Sequence, residues 1–435
     1  METLRHCLPS SVRRTLDELP ESLDATYERV LREVKRPNRD HALRLLQCLV
    51  VAIRPLRVSE LAEVLAVDFD DAEGVPKWNA GWRWEDQEQA LLSSCSSLIS
   101  IIDDSDDDSR AVQFSHFSVN EFLTSPRLAT PNRDVSYYHI DLEPAHTIMA
   151  QACLSVLLRS DVHIDHDGIG NDSPLKHYAA EHWATHAQFK NVSSYLRQPM
   201  ECLFDADRPY FASWLKLHDI DTPPPYKSPF SQLIDFSGKS PAEPIYYAAL
   251  CGFRDLAEHL IVKNPQSVNA RGGYYATPFV AALAGRHFEL AHLLHCNGSS
   301  VNTLGRLGIS PLQAVSHCGD IEIIWILLGY GADINVQNGV GATPLRWAIS
   351  SELPDVVCVL LDQGADPNIS MHDGTTPLHR AVQVRSAAIV RLLLERGADV
   401  DSVDEEGQTA FQNAREKGYD EIVTLLLAHS ANVSS

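Results

Sequence analysis

The sequence predicts a mainly α protein: a small domain carrying one β-hairpin, then a helical linker region, then an α-solenoid of paired helices. Three observations predict it. One short phrase recurs with a proline or its stand-in at Pro244, Pro278, Pro311, Pro344, Pro377 and Ala410, at gaps of 34, 33, 33, 33 and 33 residues. Between residues 41 and 130, three short helical patterns precede two apolar runs of strand character. Pro223, Pro224, Pro225, Pro229 and Pro241 then mark a stiff linker ahead of the repeats.

The elements follow in chain order. From Val12 to Val34 the apolar positions Leu16, Leu19, Leu23, Tyr27, Val30, Leu31 and Val34 keep helical spacing, which gives a helical lead-in over residues 1–40. His41 to Leu56 reads as a more fully apolar helix and Ser59 to Val67 as a short second one. An acidic, tryptophan-rich loop separates these from a third helix, Glu88 to Cys95. Ser97 to Ile102 and Ala111 to Phe117 read as two strands joined by Asp103-Asp104-Ser105-Asp106-Asp107-Asp108-Ser109. Three short helices and a β-hairpin are the plan of a winged-helix domain, assigned to 41–130. Ser118-Val119-Asn120-Glu121 has the form of a capping box opening the next helix. The aspartate run would form the tip of the wing, where DNA-binding wings place cations; carboxylates there repel phosphate, so the domain reads as a protein-packing module. A helical region over 135–218 is built from His146–Leu158, Pro174–Ala187 and Tyr210–Leu217, and the linker spans 219–240.

Residues 241–435 hold six repeats. Thr277-Pro278, Ser310-Pro311, Thr343-Pro344 and Thr376-Pro377 place a hydroxyl cap before a proline at the first helical position, where a missing N–H costs nothing. Small residues, Ala248, Ala282, Ala348, Ala381 and Ala414, let paired helices approach. Leu293-Leu294, Leu327-Leu328, Leu360-Leu361, Leu393-Leu394 and Leu426-Leu427 supply an apolar seam between neighbours. Gly331, Gly364 and Gly397 end the second helix in a left-handed turn. A period of 33 containing Thr376-Pro377-Leu378-His379 identifies ankyrin repeats. The last copy, with Ala410 for Pro, Gln412 for His and Ser430 for Gly, reads as a capping repeat. The first, with Asn264-Pro265 in place of Gly-Ala, reads as an N-terminal cap or a degenerate member.

The composition bounds the function. At 435 residues two to four domains are expected, and a formal net charge of -22 disfavours nucleic acid and anionic membrane as partners. No apolar stretch approaches the ~20 residues of a membrane span, Met1 to Pro20 has no signal-peptide core, and nine cysteines stand singly. That usage suggests reduced, buried thiols and a cytoplasmic location.

Candidate chemistry is sparse. His182 and His186 lie four apart with His177 nearby, but Trp183 stands where a zinc protease needs glutamate, so an amphipathic helix with incidental histidines is the expectation. Asp161 to Gly168 has a faint likeness to a calcium loop whose first and twelfth ligands would be His163 and Pro174, which cannot serve. His116 reads as a structural histidine. No nucleophile motif and no G-x-x-x-x-G-K-[ST] occurs; Gly238-Lys239-Ser240 has Leu233 where the first glycine must stand. No catalytic residue, cofactor or metal is therefore expected.

Three stretches carry a family resemblance: Leu16-Asp17-Glu18-Leu19-Pro20-Glu21-Ser22-Leu23-Asp24-Ala25-Thr26-Tyr27, Leu56-Arg57-Val58-Ser59-Glu60-Leu61-Ala62, and Phe114-Ser115-His116-Phe117-Ser118-Val119-Asn120-Glu121-Phe122-Leu123. They resemble the winged-helix segment that follows the NACHT domain in fungal NLR-like (STAND) proteins, also described from GPI inositol-deacylase-like sequences. Tyr178-Ala179-Ala180-Glu181-His182-Trp183 is similar to the helical stretch after it. The resemblance implies a signalling switch for non-self recognition, with a nucleotide-binding core that this chain lacks and an ankyrin array that senses a ligand. It makes the chain the C-terminal regulatory part of such a protein or a truncated product.

The expectation is a non-enzymatic cytoplasmic interaction protein. Its array would bind a protein ligand on the concave face, and its winged-helix region would regulate or pack on a signalling core, such as a NACHT-type nucleotide-binding module. The alternative is the regulatory half or partner of a NACHT-type NTPase. Repeat register puts the variable hairpin tips and first helices at Tyr274, Tyr275, Arg306, Leu307, His317, His372, Asp373, Gln383, Glu405 and Glu406, the expected partner-binding residues. Tyr274 and Tyr275, read as an exposed pair, are the expected anchors.

Overall fold

A computed structural model describes residues 23–69, 76–82, 86–95, 97–103, 110–130, 135–159, 173–221, 242–305 and 308–433, and the chain divides into two units, 1–220 and 221–435. The lead-in before Leu23, most of the aspartate run, the loop holding Asp161 to Gly168, and the proline linker with Gly238-Lys239-Ser240 lie outside the described residues.

The first unit opens with α1 (Leu23–Glu33), which buries Tyr27 and Leu31. Helix α2 (Arg39–Val51) buries Ala42, Leu45, Leu46, Cys48, Leu49 and Val51. It ends earlier than the apolar run implies, because Ala52 is already extended and Pro55 disfavours helix at the residue before it. The chain instead forms β1 (Leu56–Arg57), then α3 (Val58–Leu65), β2 (Val67–Asp68), β3 (Lys77–Trp78) and α4 (Gln87–Cys95). Strands β4 (Ile99–Asp103) and β5 (Arg110–Phe114) make the expected antiparallel hairpin, in register Ile101 to Val112. Strand β1 adds to its other edge, pairing Leu56 with Val112, so the wing is a three-stranded sheet of order β1-β5-β4. A second ladder pairs β2 with β3.

The next helix, α5 (Ser118–Leu123), corrects the capping-box expectation. Ser118 lies inside the helix, Phe117 is the cap residue and its side chain makes no cap bond; the helix's first N–H, that of Ser118, goes to His116 Nδ1 at 3.3 Å. The Ser118 hydroxyl bonds sideways instead, to His116 Nδ1 at 2.6 Å and Tyr27 Oη at 2.7 Å, while the Tyr27 ring packs 5.4 Å from Phe122. Helix α1 is thereby fastened to α5.

The helical region contains α6 (Leu142–Leu157), α7 (Lys176–Ala187), α8 (Val192–Tyr195), α9 (Arg197–Leu203) and α10 (Tyr210–Leu217). The expected helices are α6, α7 and α10; α8 and α9 are too short to show periodicity. Trp183, Phe204, Phe211 and Trp214 form its aromatic core, with the tryptophan rings 5.3 Å apart and Trp214 Nε1 donating to the Ala180 carbonyl at 3.0 Å. The region is locked to the winged helix through two buried carboxylates on α3. Glu60 takes both ends of the Arg54 guanidinium, at 2.9 and 2.6 Å, and Arg54 in turn lies 4.9 Å over the Tyr178 ring of α7. Glu63 accepts from Ser173 Oγ at 2.6 Å and Leu175 N–H at 2.9 Å, with Arg159 Nη1 at 3.4 Å.

The second unit stacks helix pairs. They are α11 (Pro244–Cys251) with α12 (Arg254–Lys263), α13 (Pro278–Ala284) with α14 (Phe288–Cys296), α15 (Pro311–Cys318) with α16 (Ile321–Gly329), α17 (Pro344–Ser350) with α18 (Pro354–Asp362), α19 (Pro377–Gln383) with α20 (Ala387–Glu395), and α21 (Ala410–Glu416) with α22 (Asp420–Val433). Thr277, Ser310, Thr343, Thr376 and Thr409 each accept from the backbone N–H three residues on, as the recurrent hydroxyl requires. Ala248, Ala282, Ala348, Ala381 and Ala414 are fully buried between helices. Of the leucine pairs, Leu294, Leu327, Leu360, Leu393 and Leu426 are buried, while Leu427 of the last repeat is exposed. Where Ser430 replaces glycine, α22 runs on through it for 14 residues, against 9 in α20.

An asparagine ladder joins neighbouring repeats. Asn269, Asn302, Asn335 and Asn368 recur at the repeat stride. Asn269 donates to the Gly298 carbonyl and accepts from Ser300 N–H, at 2.8 and 2.9 Å. Asn302 donates to the Gly331 carbonyl and accepts from Asp333 N–H; Asn368 treats the Gly397 carbonyl and Asp399 N–H the same way; and Asn335 accepts from Asp366 N–H. Hairpin tips also connect directly, His372 N–H to the Val340 carbonyl and Glu405 N–H to the Asp373 carbonyl.

Two outcomes are expected. His186 on α7 is fully buried, with Nδ1 2.9 Å from His146 Nδ1 and Nε2 2.9 Å from Tyr178 Oη; burial, then the neighbouring histidines, pushes it down to about 3 from 6.5. Between those values the unfolded chain binds a proton that the folded chain refuses. Stability should be intact above about pH 6.5 and fall as the pH drops, by about 1.4 kcal/mol per pH unit for this group. Urea unfolding followed by tryptophan fluorescence should show that slope, and His186→Gln should flatten it. In the array, Glu352 sits at φ 56 where Gly252, Gly319 and Gly418 occupy the same repeat position at 76, 83 and 71. Glu352→Gly should therefore stabilise the array by about 0.5–1 kcal/mol, the left-handed cost relieved less the added chain entropy, measured as a higher urea midpoint.

Candidate functional site

The first helices of the array carry the variable side chains, and one repeat position shows how they are used. At the histidine of the repeat phrase the chain has Val280, Gln313, Arg346, His379 and Gln412. Gln313 Nε2 donates to the Val336 and Ala342 carbonyls of the following repeat, at 3.0 and 2.7 Å. The Nε2 of His379 hydrogen-bonds the Gln408 carbonyl at 3.0 Å, and its Nδ1 the Thr376 hydroxyl at 2.8 Å. These side chains bind repeat to repeat.

Arg346 departs from that use. Its Nε donates to Met371 Sδ at 3.3 Å and its Nη1 to Ser350 Oγ at 3.2 Å. Arg380, one repeat on, donates Nε to the same Ser350 oxygen at 3.2 Å and Nη1 to Gln383 Oε1 at 3.3 Å. The Ser350 hydroxyl itself donates to the Arg346 carbonyl at 2.9 Å, so its one proton is spent on the backbone while its lone pairs hold the two cations together. Burial, then the charge of Arg380, lowers Arg346 to about 10, opposed by the charge of Asp373. Asp373 itself accepts from Thr375 N–H at 3.0 Å and Thr375 Oγ at 2.6 Å, which chiefly hold its carboxyl below the usual range. Beside them His317 packs edge-on to Trp347, ring centres 5.5 Å apart, and hydrogen-bonds Ser351; burial lowers its pKa.

The expected partner residues fall into three groups. His372, Gln383, Glu405 and Glu406 are exposed, and Asp373 and His317 are half-buried. Arg306 and Leu307 lie outside the described residues. The third group, Tyr274 and Tyr275, corrects the exposed-anchor expectation: Tyr274 is 8% exposed and Tyr275 half-buried. The cause is buried Asp221, 53 residues upstream of Tyr274, whose Oδ2 accepts Tyr274 N–H at 2.7 Å and whose Oδ1 accepts Tyr246 Oη–H at 2.6 Å. Tyr275 N–H donates to Tyr246 Oη at 3.0 Å. Both tyrosines belong to the packing that closes the first repeat.

Arg346, Ser350 and Arg380 were not singled out by sequence reasoning, although a cation in place of the phrase's histidine was a legible signal. In the first unit His186 is wholly buried, His182 half-buried and His177 exposed. Among the described residues no group of three or more His, Cys, Asp or Glu side chains could hold a metal ion. The described cysteines are free; Cys48, Cys95, Cys153 and Cys251 are buried as expected, while Cys296 is exposed. No helix among the described residues is long and apolar enough to cross a membrane.

Comparison with known proteins agrees with this architecture. Residues 278–371 and 360–435 match a family model described as ankyrin repeats, in 3 copies, and residues 28–132 match one described as GPI inositol-deacylase, winged helix domain. The azaphilone pigments biosynthesis cluster protein L of Monascus ruber is 30% identical over 281 residues, which are 61% of this chain and 57% of that protein. The chain thus spans a little over half the length of that curated relative. A crystal structure of an ankyrin repeat domain from Acinetobacter baumannii is 29% identical, covering 43% of this chain and 97% of that one with a TM-score of 0.39. The protein is mainly helical, with an N-terminal winged-helix domain like that of GPI inositol-deacylase and a C-terminal ankyrin solenoid.

Tyr274→Ala should cost about 3 kcal/mol of array stability, as removal of a buried ring does. Urea unfolding measures it, and a surface anchor would show no such loss.

Proposed function

We propose that the chain is a non-catalytic interaction protein whose ankyrin array captures a protein ligand across its first helices and hairpin tips. Ankyrin repeats indicate a protein–protein interaction role. The observation that carries the reading is the contrast within one repeat position: Gln313 and His379 are buried and bond backbone carbonyls of the next repeat, whereas Arg346 is only half-buried and meets Arg380 on Ser350 with donors to spare, next to the half-buried Trp347, which His317 packs against. Such a mixture of arginine and aromatic side chains is what protein interfaces concentrate at their centres. The tips, with His372, Glu405 and Glu406, would set selectivity.

The winged-helix and helical region would pack on or regulate a signalling core in the cytoplasm. That finer reading rests on the winged-helix match over residues 28–132 and on the stretches resembling NACHT-associated domains. An in-frame P-loop in the DNA upstream of Met1 would favour the alternative that the chain acts as the regulatory half of a NACHT-type NTPase.

The test uses the full chain with His372→Ala, Glu405→Ala and Glu406→Ala combined, all at exposed hairpin-tip positions. Affinity capture with quantitative mass spectrometry should show specific partners depleted by at least about tenfold, roughly 1.4 kcal/mol, with unfolding unchanged. Equal capture by both chains would move recognition off this surface.

A further inference from the structure

We infer that Arg346 and Arg380 form a carboxylate-binding site for an acidic segment of the protein ligand; the inference rests on the proposed role of the array and names the chemistry of what it binds.

The two guanidiniums come from successive first helices and converge on one hydroxyl, Ser350 Oγ, each at 3.2 Å. Two of the five N–H donors of each are engaged, Arg346 with Met371 and Ser350, Arg380 with Ser350 and Gln383. The other donors have no partner among the described residues, and neither arginine makes an ion pair within 4.0 Å there. Arg271, Arg385, Arg391 and Arg415 likewise have no carboxylate within 4.0 Å among the described residues, so what sets Arg346 and Arg380 apart is their convergence on one hydroxyl. Elsewhere in the array Arg254 pairs with Glu258 at 3.1 Å, Arg286 with Asp320 at 2.7 Å, and Arg396 with Asp362. Asp373, whose charge acts on Arg346, has its Oδ1 committed to Thr375 and makes no ion pair with either arginine within 4.0 Å.

Two like charges held together without a counter-ion disfavour each other, and burial of Arg346 adds to the cost. A carboxylate arriving between them relieves both effects, and the planar fork of arginine matches its two oxygens. The -22 net charge of the chain opposes long polyanions such as nucleic acid, so a short acidic peptide segment, engaging two local cations beside Met371 and Trp347, is the ligand that suits.

The repeats themselves supply the variants. Arg346→Gln installs the residue that repeats carry at Gln313 and Gln412, and Arg380→Ala the residue at Ala281 and Ala314, so both suit the fold. Full-length protein is titrated with fluorescein-labelled hexaglutamate, with hexaglutamine and a phosphoserine hexapeptide as comparisons. Saturable binding of hexaglutamate should weaken with salt, fall at least about tenfold in the double variant, persist in Arg286→Gln, and be only partly kept in the double lysine variant. Unchanged thermal unfolding of the double variant confirms that a binding loss is local. The inference is overturned by no saturable binding of hexaglutamate, by equal binding to the double variant, or by binding of the phosphoserine peptide alone. A chain that ignores hexaglutamate yet loses its captured partners in the tip variant refutes this site while leaving the interaction role standing.

Discussion

The array depends on how the end of each second helix is satisfied. An α-helix leaves its last carbonyls without intrahelical donors, and in a stack of short helices this deficit recurs once per repeat. Here an asparagine from the preceding repeat donates to the glycine carbonyl just past the helix and accepts an N–H two residues on, as Asn302 does with Gly331 and Asp333. The helix's own last carbonyls are taken by backbone N–H groups, Leu327 by Ala332 and Leu328 by Gly331, so the asparagine holds the turn that follows and fixes the register of two repeats. Because repeats touch only their neighbours, that local registration decides which first-helix side chains meet across an interface. The meeting of Arg346 and Arg380 on Ser350 follows from it.

The first unit is held by different means. Glu60 and Glu63 sit on one helix of the winged domain, each almost wholly buried and each fully occupied by donors from outside that helix. Charges so placed are tolerable only with their partners in place, so they specify one arrangement of the helical region against the wing. Their cost explains why acidic side chains interrupt an otherwise apolar face.

Legibility followed the range of the interaction. The repeats were plain because proline, threonine and glycine do the same local job every 33 residues, and α10 stood at its expected bounds because its apolar face is self-evident. Strand β1 was hidden because two residues have no period, and its pairing partner lies beyond two helices and three strands of intervening chain. Ser118 looked like a cap because its neighbours spell one, but Tyr27 and His116 compete for its hydroxyl. Tyr274 looked like a surface anchor because nothing near it in sequence announces Asp221. In the candidate site the exposed tips were readable from register alone, whereas the arginine pair required asking why one repeat abandons the residue its neighbours use to grip the next. The asparagines at 269, 302, 335 and 368 were equally available in the letters, and only their hydrogen bonds reveal what they are for.

The ladder also makes the solenoid editable. Since every rung spans one stride, removing residues 303–335 would leave Asn302 where Asn335 stands, ready to receive the Asp366 N–H, and duplicating the same stretch would insert one further rung across the new joint. Length is therefore a quantity that unequal recombination can change in whole cassettes without any compensating substitution. What such an event would shift is the distance between the arginine pair and the start of the array, so the reach of the molecule can drift while its grip stays the same.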